Sequence, residues 1–229
     1  MDYIGYKINN LYNNISKEFE KLKNEKEAVF MAKYMKNNFE FLGIHSKERK
    51  EAEKKVFKTI PKDEKDFIDF NFTDKCYDNK YREFQYAAVD YLILKKKYLN
   101  KSHIEKLKGY ALTKSWWDSI DFLDRIIGDI ALRDESVNNI LLEWSLSDNI
   151  WLRRIAIDHQ LLRKDKTNTE LLEKIIINNL NNKEFFINKA IGWSLRDYSK
   201  TNPDWVRDFI GRHKENMANL SIKEASKYI

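Results

Sequence analysis

Lys114-Ser115-Trp116-Trp117-Asp118-Ser119-Ile120-Asp121 decides how this 229-residue chain is read. Ser115 has the character of a helix N-cap with Asp118 three residues on, so a helix is expected to begin here. Wound at about 100° per residue, it gathers Trp116, Ile120, Leu123, Ile127 and Ile130 on one apolar side. Trp117 points away from that side, and Asp121, Asp124 and Gly128 share its face. A large aromatic off the core beside two carboxylates has two explanations. It can pack on a neighbouring helix while the acids favour the helix N-terminus, or it can belong to a site. Spacing alone leaves both open.

The same period extends outward in both directions. Towards the N-terminus, Ile4, Ile8, Leu11, Ile15, Phe19 and Leu22 mark a helix over residues 3–22, and Ala28, Val29, Met31, Ala32 and Met35 mark a second. Residues 39–45 break the pattern, and Ser46 caps a charged helix over 47–58. Pro61 ends that segment, and Asp63 is expected to start the next helix through Phe67, Ile68 and Phe70. Residues 80–98 form a long amphipathic helix, with Lys95, Lys96 and Lys97 near the end where the helix dipole favours cations. Ser102 then caps a helix through Ile104, Leu107, Tyr110 and Leu112. Beyond the central helix, Asp134 opens another, and Ser147-Asp148 caps one running to about Leu162. Two more follow near 168–180 and 184–200, Pro203 begins another, and the tail from Ser221 reads as short and polar.

Helix pairs recurring at roughly 35–45 residues predict an all-α, HEAT-like helical-repeat solenoid with a concave face free for a long ligand. A single domain over residues 1–229 is expected, and a compact irregular bundle is the alternative. The 2 prolines and 6 glycines support helices over a β-fold with many tight turns. Lys+Arg 42 against Asp+Glu 36 leaves a net charge of +6, so the placement of basic residues matters more than their number. Cys76 is the only cysteine, which excludes a disulfide framework or a cysteine metal cluster. His45, His103, His159 and His213 lack metal-ligand spacing, and no nicotinamide motif or Schiff-base lysine is evident, so neither metal nor cofactor is expected. The first seven residues lack a basic region followed by an apolar run, and no apolar stretch approaches membrane-spanning length. The expected location is therefore the cytoplasm or nucleoid, with no membrane partner.

Two more positions break the amphipathic pattern. Arg154 falls between Leu161 and Trp151 in a largely apolar sector, where a guanidinium costs free energy unless it is paired or lines a cleft. An intrahelical pair with Asp158, four residues on, is the structural explanation. In the helix around residues 185–196, Ile187, Ile191, Leu195 and Tyr198 define the core stripe. Trp193 lies opposite, amid Lys189, Arg196 and Lys200, with Phe186 close by. An indole among cations suits surface cation–π packing, and it suits nucleic acid better: cations bind phosphates while the ring packs on sugar or base.

Tyr34-Met35-Lys36-Asn37, Phe41-Leu42-Gly43-Ile44, residues 115–121, Trp151-Leu152-Arg153-Arg154 and Lys189-Ala190-Ile191-Gly192-Trp193 together resemble the AlkD-like DNA alkylation repair glycosylases, enzymes built of HEAT-like repeats. The resemblance runs in order from about residue 30 to 210. It implies excision of cationic bases such as 7-methylguanine and 3-methyladenine from duplex DNA. By motif it implies a catalytic aspartate at Asp121, cleft tryptophans at Trp117 and Trp193, and a cleft arginine at Arg154. Lys189 and Arg196 match phosphate contacts, and Tyr34 and His45 fall at DNA-binding positions. His45 is a departure, since many members carry glutamine there.

The implied chemistry suits these residues. Cleaving the N-glycosidic bond builds positive charge on the deoxyribose, and an alkylated base is already a cationic leaving group. Asp121 could orient or deprotonate a water and stabilise that charge, while the two indoles favour it through their π faces. The expectation is a monomeric, monofunctional alkylpurine glycosylase acting on double-stranded DNA without a cofactor. Two other classes stay open: a non-catalytic module binding damaged or branched DNA, and a helical-repeat protein scaffold.

Overall fold

The computed structural model describes residues 3–229, with side chains from residue 11 onward. Ile4, Ile8 and the reading of residues 1–7 fall outside the described side chains. Thirteen α-helices and several 3-10 turns account for the described chain. It contains no strand, only an isolated bridge between Glu40 and Tyr81. No described helix is long and apolar enough to cross a membrane. The chain folds as two compact units, Met1–Leu99 and Asn100–Ile229.

The first unit comprises α1 (Tyr3–Lys21), α2 (Glu25–Tyr34), α3 (Ser46–Phe57), α4 (Phe70–Asp78) and α5 (Arg82–Lys95). Ile15 and Phe19 of α1, Val56 of α3, Phe72 and Cys76 of α4, and Phe84, Ala88 and Leu92 of α5 form its core. The segment that breaks the helical pattern before α3 is held by a buried acid. The carboxylate of Glu83 accepts hydrogen bonds from the backbone N–H groups of Leu42, Gly43 and Ile44 at 3.0, 2.9 and 3.1 Å. Three donors satisfy an anion that would otherwise be costly to bury.

Asp63 does not start a helix. Residues Lys62–Glu64 form a 3-10 turn, and α4 begins only at Phe70, capped by Asp69, whose Oδ1 accepts from Phe72 N at 3.0 Å. The intervening carbonyls are taken from outside the segment: the Lys95 ammonium donates to the carbonyls of Glu64 and Lys65 at 3.0 and 2.9 Å.

The second unit comprises α6 (Ile104–Leu112), α7 (Trp117–Arg133), α8 (Val137–Trp144), α9 (Ile150–Asp158), α10 (Thr169–Ile177), α11 (Phe185–Ser199), α12 (Pro203–His213) and α13 (Asn219–Ala225). The expected stripes form its core: Ile120, Leu123, Ile127 and Ile130 of α7 and Ile187, Ile191 and Leu195 of α11 are all buried. Each such side chain contributes about 1.5–3 kcal/mol on leaving water, so these stripes, rather than the caps, determine where α7 and α11 lie.

The caps differ from expectation. Ser115 does not cap α7: its hydroxyl donates to the Ala111 carbonyl at 2.6 Å, and Trp116 takes the cap position in extended geometry without a side-chain cap bond. Ser46 is the first residue of α3 rather than its cap. Asn100, not Ser102, caps the turn that leads into α6, and Asn149, not Ser147 or Asp148, caps α9. The tail from Ser221 is also corrected, since α13 and a following 3-10 turn continue the fold and α13 packs closely on α11.

Two glycines permit the close helix contacts of this unit. A Cβ at Gly128 of α7 would meet the His159 carbonyl oxygen at 2.0 Å. At Gly192 of α11 it would meet the Glu224 Cβ at 2.5 Å and the Ser221 carbonyl oxygen at 3.0 Å. Any other residue would force α9 or α13 outward.

Candidate active site

Six of the eight residues singled out in the sequence lie in the second unit, on three helices. Trp117 and Asp121 stand one turn apart on α7, Arg154 lies on α9, and Lys189, Trp193 and Arg196 lie on α11. Both α7 and α11 pack against α9, so Arg154 sits where the three meet.

Arg154 is only 1 % exposed. Its Nε and Nη2 donate to the two oxygens of Asp121 at 2.7 and 2.8 Å, a bidentate fork. Its Nη1 donates to the Phe186 carbonyl at 2.7 Å. The expected intrahelical partner, Asp158, is farther away, with Oδ2 at 3.9 Å from Nη2. Burial alone would lower the guanidinium's pKa, but the acids around it, with Asp121 bonded through the fork, more than offset that and hold the group above its ordinary value. Asp121 keeps 18 % of its side chain exposed, so this carboxylate is fixed from behind and still open in front.

The Trp193 ring is half-buried with three cations around it. The Arg154 guanidinium carbon lies 5.3 Å from the ring centroid, Lys189 Nζ 5.7 Å, and the Arg196 guanidinium carbon 5.9 Å. Lys200, expected here, instead lies over Tyr228 at 5.0 Å. Phe186 turns to an aromatic cluster with Trp116 and Trp151, at centroid distances of 5.2 and 5.0 Å. Trp117, partly buried, opens α7 one turn before Asp121.

Lys189 and Arg196 share an acid that the sequence reading missed. Glu224 of α13 accepts from Lys189 Nζ, Arg196 Nη1 and Lys227 Nζ, each at 2.7 Å. Hydrogen bonds from Lys189 and Lys227 hold its carboxyl down at about 2. The buried face of α13 is Ser221, Glu224 and Ala225, which has helical spacing but no large apolar side chain to betray it.

Two more acids lie behind Asp121. Asp124 of α7 and Asp158 of α9 are 0 % and 1 % exposed. The oxygens of Asp121, Asp124 and Asp158 come within 4.8 Å of one another. None of the four oxygens on the two buried acids has a hydrogen-bond partner. Burial drives the Asp124 carboxyl well above the usual range, with Asp158 and Asp121 adding to the effect. Burial likewise raises Asp158, against the pull of Arg154. Arg154 already donates to both Asp121 oxygens, and its positive charge beside them opposes a cation in this cluster.

Tyr34 and His45 belong to the first unit. Tyr34 is 73 % exposed at the end of α2. His45 is the N-cap residue of α3, and its Nε2 lies 2.9 Å from Glu27 Oε2.

Comparison with known proteins agrees with this arrangement of helices. The chain is similar to the solved structure titled a predicted DNA alkylation repair enzyme from Enterococcus faecalis, at 36% identity and a TM-score of 0.80, covering 90% of this chain and 96% of that one. AlkD2 from Streptococcus mutans aligns with a TM-score of 0.58 at 20% identity, over 81% of this chain and 90% of that one. At that identity the likeness is one of fold, the HEAT-like helical repeat expected from the sequence. The protein smu.31 from Streptococcus mutans UA159 is similar to the same degree, with a TM-score of 0.59 at 19% identity, over 80% of this chain and 92% of that one. No curated protein matches the sequence. The DNA alkylation repair enzyme family matches residues 15–229, nearly the whole chain. The chain belongs to the DNA alkylation repair enzyme family.

Proposed function

We propose that this protein is a monofunctional DNA glycosylase that removes cationic alkylated bases, such as 7-methylguanine and 3-methyladenine, from duplex DNA by hydrolysis. The observation that carries the reading is a partly exposed carboxylate, Asp121, clamped by the almost fully buried Arg154, whose guanidinium carbon lies 5.3 Å from the centroid of the half-buried Trp193 ring. A fixed negative charge beside an indole suits a deoxyribose that develops positive charge at C1′. The alkylated base leaves as a neutral molecule, so no strong general acid is needed. Asp121 positions the attacking water and receives its proton as the C1′–O bond forms. Trp117 and Trp193 pack on the sugar, while Lys189 and Arg196 hold flanking phosphates. Arg154 acts through Asp121, fixing the carboxylate before substrate arrives.

In the test, methylated duplex DNA is incubated with the protein and the free bases are separated by chromatography. Release of 7-methylguanine leaving an abasic strand is the expected result. DNA binding with no base released would favour a non-catalytic module.

A further inference from the structure

Asp124 and Asp158 are the least explained groups in the second unit. Both are almost fully removed from water, and none of their four carboxyl oxygens accepts a hydrogen bond. The charged groups facing them are few. From α7 come Asp121 and Arg125, whose Nε is 3.9 Å from Asp124 Oδ1 and half exposed; from α9 comes Arg154; from α11 comes Asp197. One buried guanidinium cannot balance three carboxylates, and an unpaired buried carboxylate neutralises rather than stay charged. A bound dication would also balance the charge, but it would have to sit beside Arg154, which already occupies both Asp121 oxygens.

We propose that Asp124 and Asp158 are both neutral acids in the folded protein and act as positioning residues, leaving Asp121 the one anionic partner of Arg154. This rests on the reading of Asp121 as the catalytic carboxylate. With Asp158 neutral, the guanidinium has no competing charge 3.9 Å away on its own helix, and its fork stays on Asp121. If Asp158 ionised, Arg154 would be drawn towards it and Asp121 would lose its clamp.

Protonation in the folded state alone gives a measurable linkage. Burial pushes Asp158 up to about 8, against the pull of Arg154. Between the ordinary carboxylate range and that value the folded chain binds a proton that the unfolded chain has released, so stability falls as pH rises. The experiment follows the thermal unfolding midpoint of the full chain from pH 5 to 9 for wild type, Asp158→Asn and Asp124→Asn, beside single-turnover excision over the same range. Asparagine mimics the neutral acid. Each variant is expected to flatten the wild-type fall by about one proton equivalent. Asp158→Asn is also expected to move the high-pH loss of excision upward. Glu53 of the first unit, pushed up to about 8 by burial, contributes the same slope to all three proteins and cancels in the comparison. An Asp158→Asn protein that is destabilised at pH 6 while keeping the wild-type slope would overturn the proposal, because Asp158 would then be an ionised partner of Arg154. So would magnesium or calcium raising the wild-type midpoint but not that of Asp158→Asn. If Asp158→Asn does not fold, the Asp124→Asn slope decides. If wild type releases no base, the glycosylase reading fails while the unfolding measurement still tests the neutral acids.

Discussion

Arg154 carries one charge and spends its hydrogen bonds on two partners, Asp121 and the Phe186 carbonyl. Under the proposed function this gives Asp121 two roles, and they can be separated. As the group that stabilises charge near the transition state, its replacement by asparagine should lower single-turnover release of 7-methylguanine by on the order of 10²-fold or more. As the anionic partner of a buried guanidinium, its loss should also destabilise the fold, at most by the ~3–5 kcal/mol typical of breaking a buried pair. Denaturant unfolding beside the excision assay reads both. Lost stability with unchanged excision would leave Asp121 a structural residue only. Trp117→Ala and Trp193→Ala should cut excision less, because in the proposed function packing on the sugar is shared between two rings. A carboxylate repels phosphate, so Asp121→Asn should bind undamaged duplex at least as tightly as wild type.

At the scale of the element, α13 does more than its sequence suggests. Glu224 draws Lys189 and Arg196 of α11 together beside Trp193. Its carboxyl is held down at about 2, chiefly by Lys189 and Lys227, so its contribution to stability is present above the ordinary glutamate range. That contribution is lost as pH falls from about 4.5 towards about 2. Hydrogen exchange should therefore show α13 loosening over that window in wild type, while Glu224→Gln should show the loosened state already at neutral pH. Equal protection in both proteins at pH 7 would remove Glu224 as the tie. Such ties explain what was legible in the sequence and what was not. The stripes of α7 and α11 could be read because Ile and Leu repeat at helical spacing. Trp193 stood out because an indole amid cations contradicts its own stripe. The start of α4 was misplaced because Lys95, distant in sequence, captures the carbonyls of Glu64 and Lys65. Glu224 was missed because a face of serine, glutamate and alanine resembles a solvated tail. For Arg154, the contact with Asp158 four residues on was legible, at 3.9 Å, while the closer bidentate fork from Asp121 on another helix was not.

For the whole molecule, the net charge of +6 is too small to identify a partner, so its distribution has to be tested through salt. Affinity for plain duplex DNA should fall with salt at about 0.9 logarithmic units per neutralised phosphate. Lys189→Ala and Arg196→Ala should each reduce that slope by about one. Titrations by fluorescence anisotropy at several salt concentrations would measure it. Slopes unchanged in both variants would mean that Glu224 keeps these cations for itself and that phosphates bind elsewhere. The same titration addresses the scaffold alternative: an acidic protein bound at the Trp193 face should be displaced by plain duplex if the face is built for DNA.

The shared guanidinium also has a consequence for heredity. Asp121, Asp158 and Trp193 all meet Arg154, so an exchange at one alters the cost of exchange at the others, and their effects should not add. A lineage that exchanges Asp121 or Arg154 alone would pass through an intermediate with a stranded buried charge. Such intermediates are selected against even where the end state is sound. Asp121 and Arg154 should therefore be inherited as a pair, changing together or staying fixed together among relatives, while Asp158 tolerates asparagine.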